Sequence, residues 1–423
     1  MKITASTTES LWQLHLTQSS RHRSRRGTMM LWSVWVFLAM LMIVAGLCNV
    51  MWLSCTRAEA RRQAESAVIA GGHAFLSDDL LRPWQQPFEN DGRAVRSRNA
   101  VVDYIRQSGD NSLSRLITAG DVELVQPPAA TQPGNTGLTQ PGVNVPDQIR
   151  LIFGKDQSND QVRMFFSGLT GVQYARLGVT AAATIEHTPV GFLPGGSATI
   201  PVLPLAIPDQ SQDDSPMLNA GGLWSQQIES GTGSDNLSWN PEQHSVENGP
   251  DGLPEITLTL SPNSAGNAPD SFVPLRFAAT PPAGNVSQTV QWMQNGVTAD
   301  DLKTLGLSQL AFPSTLSATT LSNTECTQIA AWLRGHTGQS FMVCLCSPAT
   351  GAAKSQPQAA DNELSTVQLI RPVAARIMAS EVSAGGEVRI RLQPCVLITS
   401  TAVTSNSPQA TLNRYLYSVR LCE

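Results

Sequence analysis

The sequence predicts an α+β protein in which an N-terminal transmembrane helix runs on into a stalk helix and then into a β-rich extracytoplasmic head with a few short helices. Three observations carry that expectation. No charged residue interrupts the stretch from Gly27 to Thr56. An Ala-rich, proline-free stretch follows from Arg57 to Leu76. The remainder is cut into short apolar alternations by turn-forming residues, the chain holding 32 glycines and 27 prolines.

Residues 1–26 read as a cytoplasmic basic tail, with Lys2, Arg21, Arg23, Arg25 and Arg26 set against Glu9 alone. The net charge of −5 therefore understates the acidity of everything downstream. An acidic body lacks the clustered Lys and Arg that neutralise phosphates, so a nucleic-acid partner is not expected.

Residues 27–56 read as the membrane helix, with Met29 to Leu53 apolar almost throughout. A bilayer core of about 30 Å needs only about 20 helical residues. Trp32 and Trp35 near one end and Trp52 near the other suit interfacial belts. Two other readings compete. Ala58-Glu59-Ala60 mimics a signal-peptidase site, but a cleaved signal has an apolar core of only about 7–15 residues. Ser54-Cys55 mimics a lipoprotein site, which Trp52 suits poorly. All three readings place the body outside the cytoplasm.

Residues 57–82 read as a juxtamembrane stalk helix ended by Pro83. Ala60, Ala64, Ala67, Gly71 and Ala74 form a seam of small residues at heptad spacing, which admits a second helix at close range. That helix belongs either to a membrane partner or second copy of the chain, or to the chain's own head.

Residues 83–207 read as a first extracytoplasmic α+β unit. It has a helix over Arg93–Gln107 and a strand over Val122–Val125. The segment 126–147, with Pro127, Pro128, Pro133, Pro141 and Pro146, reads as a linker. A strand over Ile149–Phe153, a helix over Asp160–Leu169 and one long strand over Gln173–Ile185 complete the unit. Residues 208–253 read as a polar loop region with a turn of helix at Leu223–Ile228. Residues 254–423 read as a C-terminal β-rich unit. There Ile256, Leu258 and Leu260 alternate with a solvent face of Glu255, Thr257 and Thr259. Helices are expected over Thr289–Leu305, broken at Asn295-Gly296, and over Thr324–Leu333, with a strand over Phe341–Cys346. A hairpin turns at Ser383-Ala384-Gly385-Gly386 between Ala374–Val382 and Glu387–Leu392. Cys395–Thr399 and Tyr415–Leu421 close a terminal sheet.

Four stretches together resemble TadE/TadG-like proteins, membrane components of the Flp, or tight-adherence, pilus system. The first is Arg25-Arg26-Gly27, the apolar run, and then Cys55 through Gly71, with Gln63-Ala64-Glu65-Ser66-Ala67 where the family carries a Gln/Asn-Ala-x-Asp-Ala run; Glu65 stands in place of the Asp, with one residue fewer between the Gln and the acid. The second is Val162 to Gly171 continuing through Val179 to Thr184, the third Leu203 to Pro208, and the fourth Ala374 to Gln393 running into Pro394-Cys395. Prepilin-like relatives place a Glu five residues past the cleavage Gly, where this chain has Trp32, so the resemblance is to the unprocessed, TadG-like kind. It implies a bacterial inner-membrane protein with its N-terminus cytoplasmic and its body periplasmic. Its implied partners are pilus-assembly membrane proteins or pilin, with a homo-oligomer through the stalk helix as a further option.

No catalytic constellation, cofactor fingerprint or metal-ligand spacing stands out, and neither catalysis nor a cofactor is expected. Some TadG-like proteins carry a domain whose metal site begins Asp-x-Ser-x-Ser at a strand end. Asp209, Ser211 and Asp213 imitate it, but Pro204 and Pro208 disfavour the buried strand it requires. Of the seven cysteines, Cys48 and Cys55 lie in the apolar run. Cys326 with Cys344 or Cys346, and Cys395 with Cys422, are disulfide options, against the reading of all as small buried hydrophobes. The expectation is thus a non-enzymatic pilus-assembly component. An anchored adhesin or sensor head unrelated to pili is the alternative, and an anchored envelope hydrolase the third reading.

Overall fold

The computed structural model describes residues 9–82, 92–108, 117–126, 145–153, 161–196, 198–209, 223–262, 270–278, 288–348, 366–383, 386–405, 407 and 411–422. Pro83, Ser211, Asp213, the prolines Pro127, Pro128, Pro133 and Pro141, and the centre of the turn at Ala384-Gly385 lie outside them. The described elements are, in chain order, α1 (Glu9–Phe75), α2 (Gly92–Gln107), β1 (Val122–Val125), β2 (Gln148–Phe153), β3 (Gln161–Arg163), α3 (Ser167–Thr170), β4 (Tyr174–Arg176), β5 (Val179–Glu186), β6 (Pro189–Phe192) and β7 (Val202–Pro208). Then come β8 (Leu237–Asn240), β9 (Ser245–Asn248), β10 (Ile256–Leu260), β11 (Val273–Arg276), α4 (Gln288–Asn295), α5 (Ala299–Thr304), β12 (Leu310–Ala311) and β13 (Ser314–Ala318). The last are α6 (Asn323–Gly335), β14 (Ser340–Pro348), β15 (Thr366–Val382), β16 (Val388–Pro394), β17 (Leu397–Ile398), β18 (Ala402–Thr404) and β19 (Leu416–Leu421). The chain is therefore mixed α+β, with one long apolar N-terminal helix and a strand-rich remainder.

The chain divides into two compact units: residues 1–64, 105–121 and 151–180 make the first, and the rest make the second. The first holds most of α1 and the small β3–β4 ladder, which pairs Arg163 with Tyr174 and Gln161 with Arg176. α3 sits at the tip of that ladder and ends on Gly171, whose φ of 71° is the left-handed conformation that glycine takes without strain.

In the second unit the 17-residue β15 organises the sheet. Its first half pairs with β14 on one side and β13 on the other, and its second half passes from β14 to β16. Because β13 continues through β11 and β7 back to β14, five strands close into a ring. β16 and β10 extend from it as an arm. Closure leaves those strands without free edges. β7 fills its place with Val202, Leu203, Leu205, Ala206 and Ile207, all buried. It pairs antiparallel to β11 and parallel to β14. α4 packs on β7 and α6 on β15, with Phe277 and Trp292 edge-to-face at 5.6 Å. Reciprocal caps start α5 (Thr298 with Asp301) and α6 (Ser322 with Glu325).

Several expectations are corrected. Pro204 does not break β7: it falls where the β7–β14 register shifts, between the pairs Met342↔Val202 and Cys344↔Ala206, a place where a missing backbone N–H costs no ladder bond. The segment expected as a helix over 160–169 is instead β3 followed by the four-residue α3, because pairing with β4 claims its first half. The long strand expected over 173–185 is two, β4 and β5, parted at Leu177-Gly178. The stalk helix ends at Phe75 rather than at Pro83, and a 3-10 turn, Asp78–Leu81, follows. Glu255 is buried rather than on the solvent face, since its carboxylate accepts the backbone N–H groups of Asn236 (3.1 Å) and Leu237 (2.5 Å). Beyond it the β10 alternation is as expected. All seven cysteines are free thiols. Cys326, Cys344, Cys346 and Cys395 are packed as small core side chains, and Cys422 contacts Thr184 and Gln148 rather than Cys395.

Candidate functional site

Among the described residues, α1 carries a long run of exposed apolar side chains. Its most apolar stretch has a mean hydropathy of 2.4 over 18 residues, so the helix is long and apolar enough to cross a membrane, a property that a signal helix shares. From Met29 to Trp52 its large apolar side chains are uncovered, Met29 at 79%, Trp32 at 73% and Val50 at 62%. Soluble monomers rarely expose a contiguous apolar patch larger than a few hundred Å². Ala45 and Asn49 are the buried exceptions.

Asn49 is buried because the tip of the β3–β4 ladder sits on it. Its side-chain oxygen accepts the Phe166 backbone N–H at 2.9 Å, and its amide nitrogen donates to Thr170 Oγ1 at 3.2 Å. Trp52 lies beside Phe165, ring centroids 6.2 Å apart. The contact leaves one trace in the sequence, a lone amide in an uncharged run, which is costly in a bilayer unless something satisfies it.

Further along α1, the small-residue seam is filled by the chain itself. Ala60 and Ala64, with Gln63, line a cavity of about 10 Å³ shared with Ile105, Ile117, Leu151, Phe153 and Val179. Ala67 is fully buried. A Cβ added at Gly71 would stand 2.5 Å from Val101 and 3.3 Å from the Ser97 carbonyl of α2, and Ser97 Oγ donates to the Gly71 carbonyl at 2.9 Å. Ala74 is half-buried. Arg57, one turn before Ala60, and Glu59, Arg61 and Arg62 around it are exposed. At Ala60, Ala64, Ala67 and Gly71 the space that a second helix would need is taken.

The turn after α1 is tied down by charge. Asp78 accepts from the buried Arg376 at 2.5 Å and from the Val396 backbone N–H at 2.7 Å. The Arg376 guanidinium also lies over the Trp239 ring, 4.9 Å from its centroid. Asp79 meets Arg96 at 2.6 Å and Arg82 at 2.7 Å. Burial alone would raise its pKa, but the Arg96 hydrogen bond and the charges of Arg96, Arg82 and Arg93 hold it below the usual aspartate value.

Asp209, at the end of β7, is also engaged by protein. It accepts Ser225 Oγ at 2.9 Å and the Ser225 N–H at 3.3 Å, with Arg371 3.8 Å away. Burial raises its pKa despite those partners. Ser211 and Asp213 lie outside the described residues. No group of three or more potential metal ligands occurs among the described residues.

No protein-family model matches the chain, and no curated protein or solved structure matches it significantly. The geometry defines a class: a chain whose N-terminal helix has membrane-crossing length and leads into a mixed α+β, strand-rich body.

Proposed function

We propose that this chain is a non-enzymatic, membrane-anchored component of a bacterial tight-adherence pilus-assembly system, held in the inner membrane by Met29–Leu53 with its body in the periplasm. The observation that carries the anchor is the uncovered apolar surface of α1 from Met29 to Trp52, which lipid would cover at no cost and water would not. The assignment to pilus assembly rests on the resemblance in Arg25–Gly27, Cys55–Gly71, Val162–Thr184, Leu203–Pro208 and Ala374–Cys395. With the stalk seam occupied from within, contacts with pilin or with membrane partners fall to other surfaces of the anchor and the body.

Crosslinking in native membranes tests the reading. Purification of the full chain after mild crosslinking is expected to bring down a secretion ATPase, a polytopic platform protein or pilin. Recovery of the chain with other envelope proteins alone would favour an anchored binding module unrelated to pili.

A further inference from the structure

The tip of the β3–β4 ladder carries a second apolar surface. No charged residue occurs from Met164 to Ala175, and Arg163 and Arg176 flank the segment. Phe165 is 72% exposed, Leu169 45%, Val172 50% and Tyr174 52%. These side chains lie within the same unit as the apolar part of α1 and beside it, through the Asn49 and Trp52 contacts.

We infer that this tip is a membrane-inserted element, buried in the headgroup and upper acyl region of the extracytoplasmic leaflet; the inference rests on the reading of α1 as a bilayer anchor. Depth is the first argument. Arg57 is the first charge after the apolar run, and at 1.5 Å per residue Asn49 lies about 12 Å further toward the apolar side. A segment that hydrogen-bonds Asn49 cannot stay in bulk water while the run that contains Asn49 sits in lipid.

Backbone satisfaction is the second. Non-helical backbone survives at membrane depth only when its polar groups are paired. The N–H of Met164 donates to Gln173 O (3.0 Å), that of Phe166 to Asn49, those of Leu169 and Thr170 to Phe166 O (3.2 and 3.1 Å), and that of Gly171 to Ser167 O (3.0 Å). Thr170 Oγ1 donates to Phe166 O at 2.9 Å.

Composition is the third. Phe, Leu, Val and Tyr between two exposed arginines match an interfacial element that buries apolar side chains while its cations reach the lipid phosphates.

Spin-label accessibility tests this in the full-length protein in phospholipid vesicles. Cys48, Cys55 and Cys422 are replaced by alanine, and one nitroxide is placed at Val36→Cys on α1, Leu169→Cys in the tip, or Glu242→Cys in the exposed turn between β8 and β9. Oxygen concentrates in hydrocarbon and a nickel chelate in water. The expected result is oxygen-dominated collision at positions 36 and 169 and nickel-dominated collision at 242. Nickel dominance at 169 with oxygen dominance at 36 would leave the anchor standing and overturn the inserted tip. Nickel dominance at 36 as well would remove the anchor and the tip together.

Discussion

At residue scale, Gly338 shows how one missing side chain fixes a contact. Its φ of 86° is a left-handed conformation that other residues adopt at a cost. A Cβ there would stand 2.1 Å from the Trp239 ring. Trp239 in turn meets the Arg376 guanidinium, which pairs with Asp78. Gly338→Ala therefore combines backbone strain with overpacking, each worth about 1–3 kcal/mol, and is expected to lower stability by roughly 2 kcal/mol or more. Thermal unfolding of the detergent-solubilised full chain measures it, and an unchanged midpoint would show that Trp239 does not rest on Gly338. None of this chain of contacts was legible in the sequence. Trp239 lay in a stretch read as polar loop, and Asp78 and Arg376 are nearly 300 residues apart. Glu255 shows the reverse failure: strict alternation set it on the wet face, yet two backbone donors and a nearby arginine, Arg391 at 3.8 Å, make burial tolerable.

At the scale of elements, local periodicity was informative and partner identity was not. The spacing of Ala60, Ala64, Ala67, Gly71 and Ala74 predicts a close-packed face, because close packing demands small residues whatever covers them, and the first four are buried and Ala74 half-buried. It left open whether the cover came from the chain itself or from outside. Ala67→Leu is expected to destabilise the chain by about 1–3 kcal/mol through overpacking. Ala58→Leu, on the exposed face, should change stability by less than about 0.5 kcal/mol. Equal effects in the same unfolding assay would mean that the seam is open. The β15–β16 hairpin was legible because alternation and glycine coincide, Gly386 taking a φ of 81°. The expected helix over 160–169 failed because a three-residue ladder to β4 outweighed local pattern. The ring closed through β7 and β14 was out of reach, since a parallel pair between residues near 204 and 344 leaves no local trace.

For the molecule as a whole, composition carried most of what could be known early. An uncharged run flanked by arginines predicts a helix of membrane-crossing length, and the structure has one, continuous from Glu9 to Phe75. A strand-rich body was expected from turn residues and alternation, and the strands are there. The proposed function requires that helix to lie in a bilayer with the body on the far side of it from the N-terminus. Impermeant maleimide labelling of intact spheroplasts reads this directly, in a background with Cys48, Cys55 and Cys422 replaced by alanine. Glu242→Cys in the body should label at once, and Ser6→Cys in the basic tail only after the membrane is permeabilised. Labelling of Ser6→Cys with protection of Glu242→Cys, or release of both into the soluble fraction, would contradict the account.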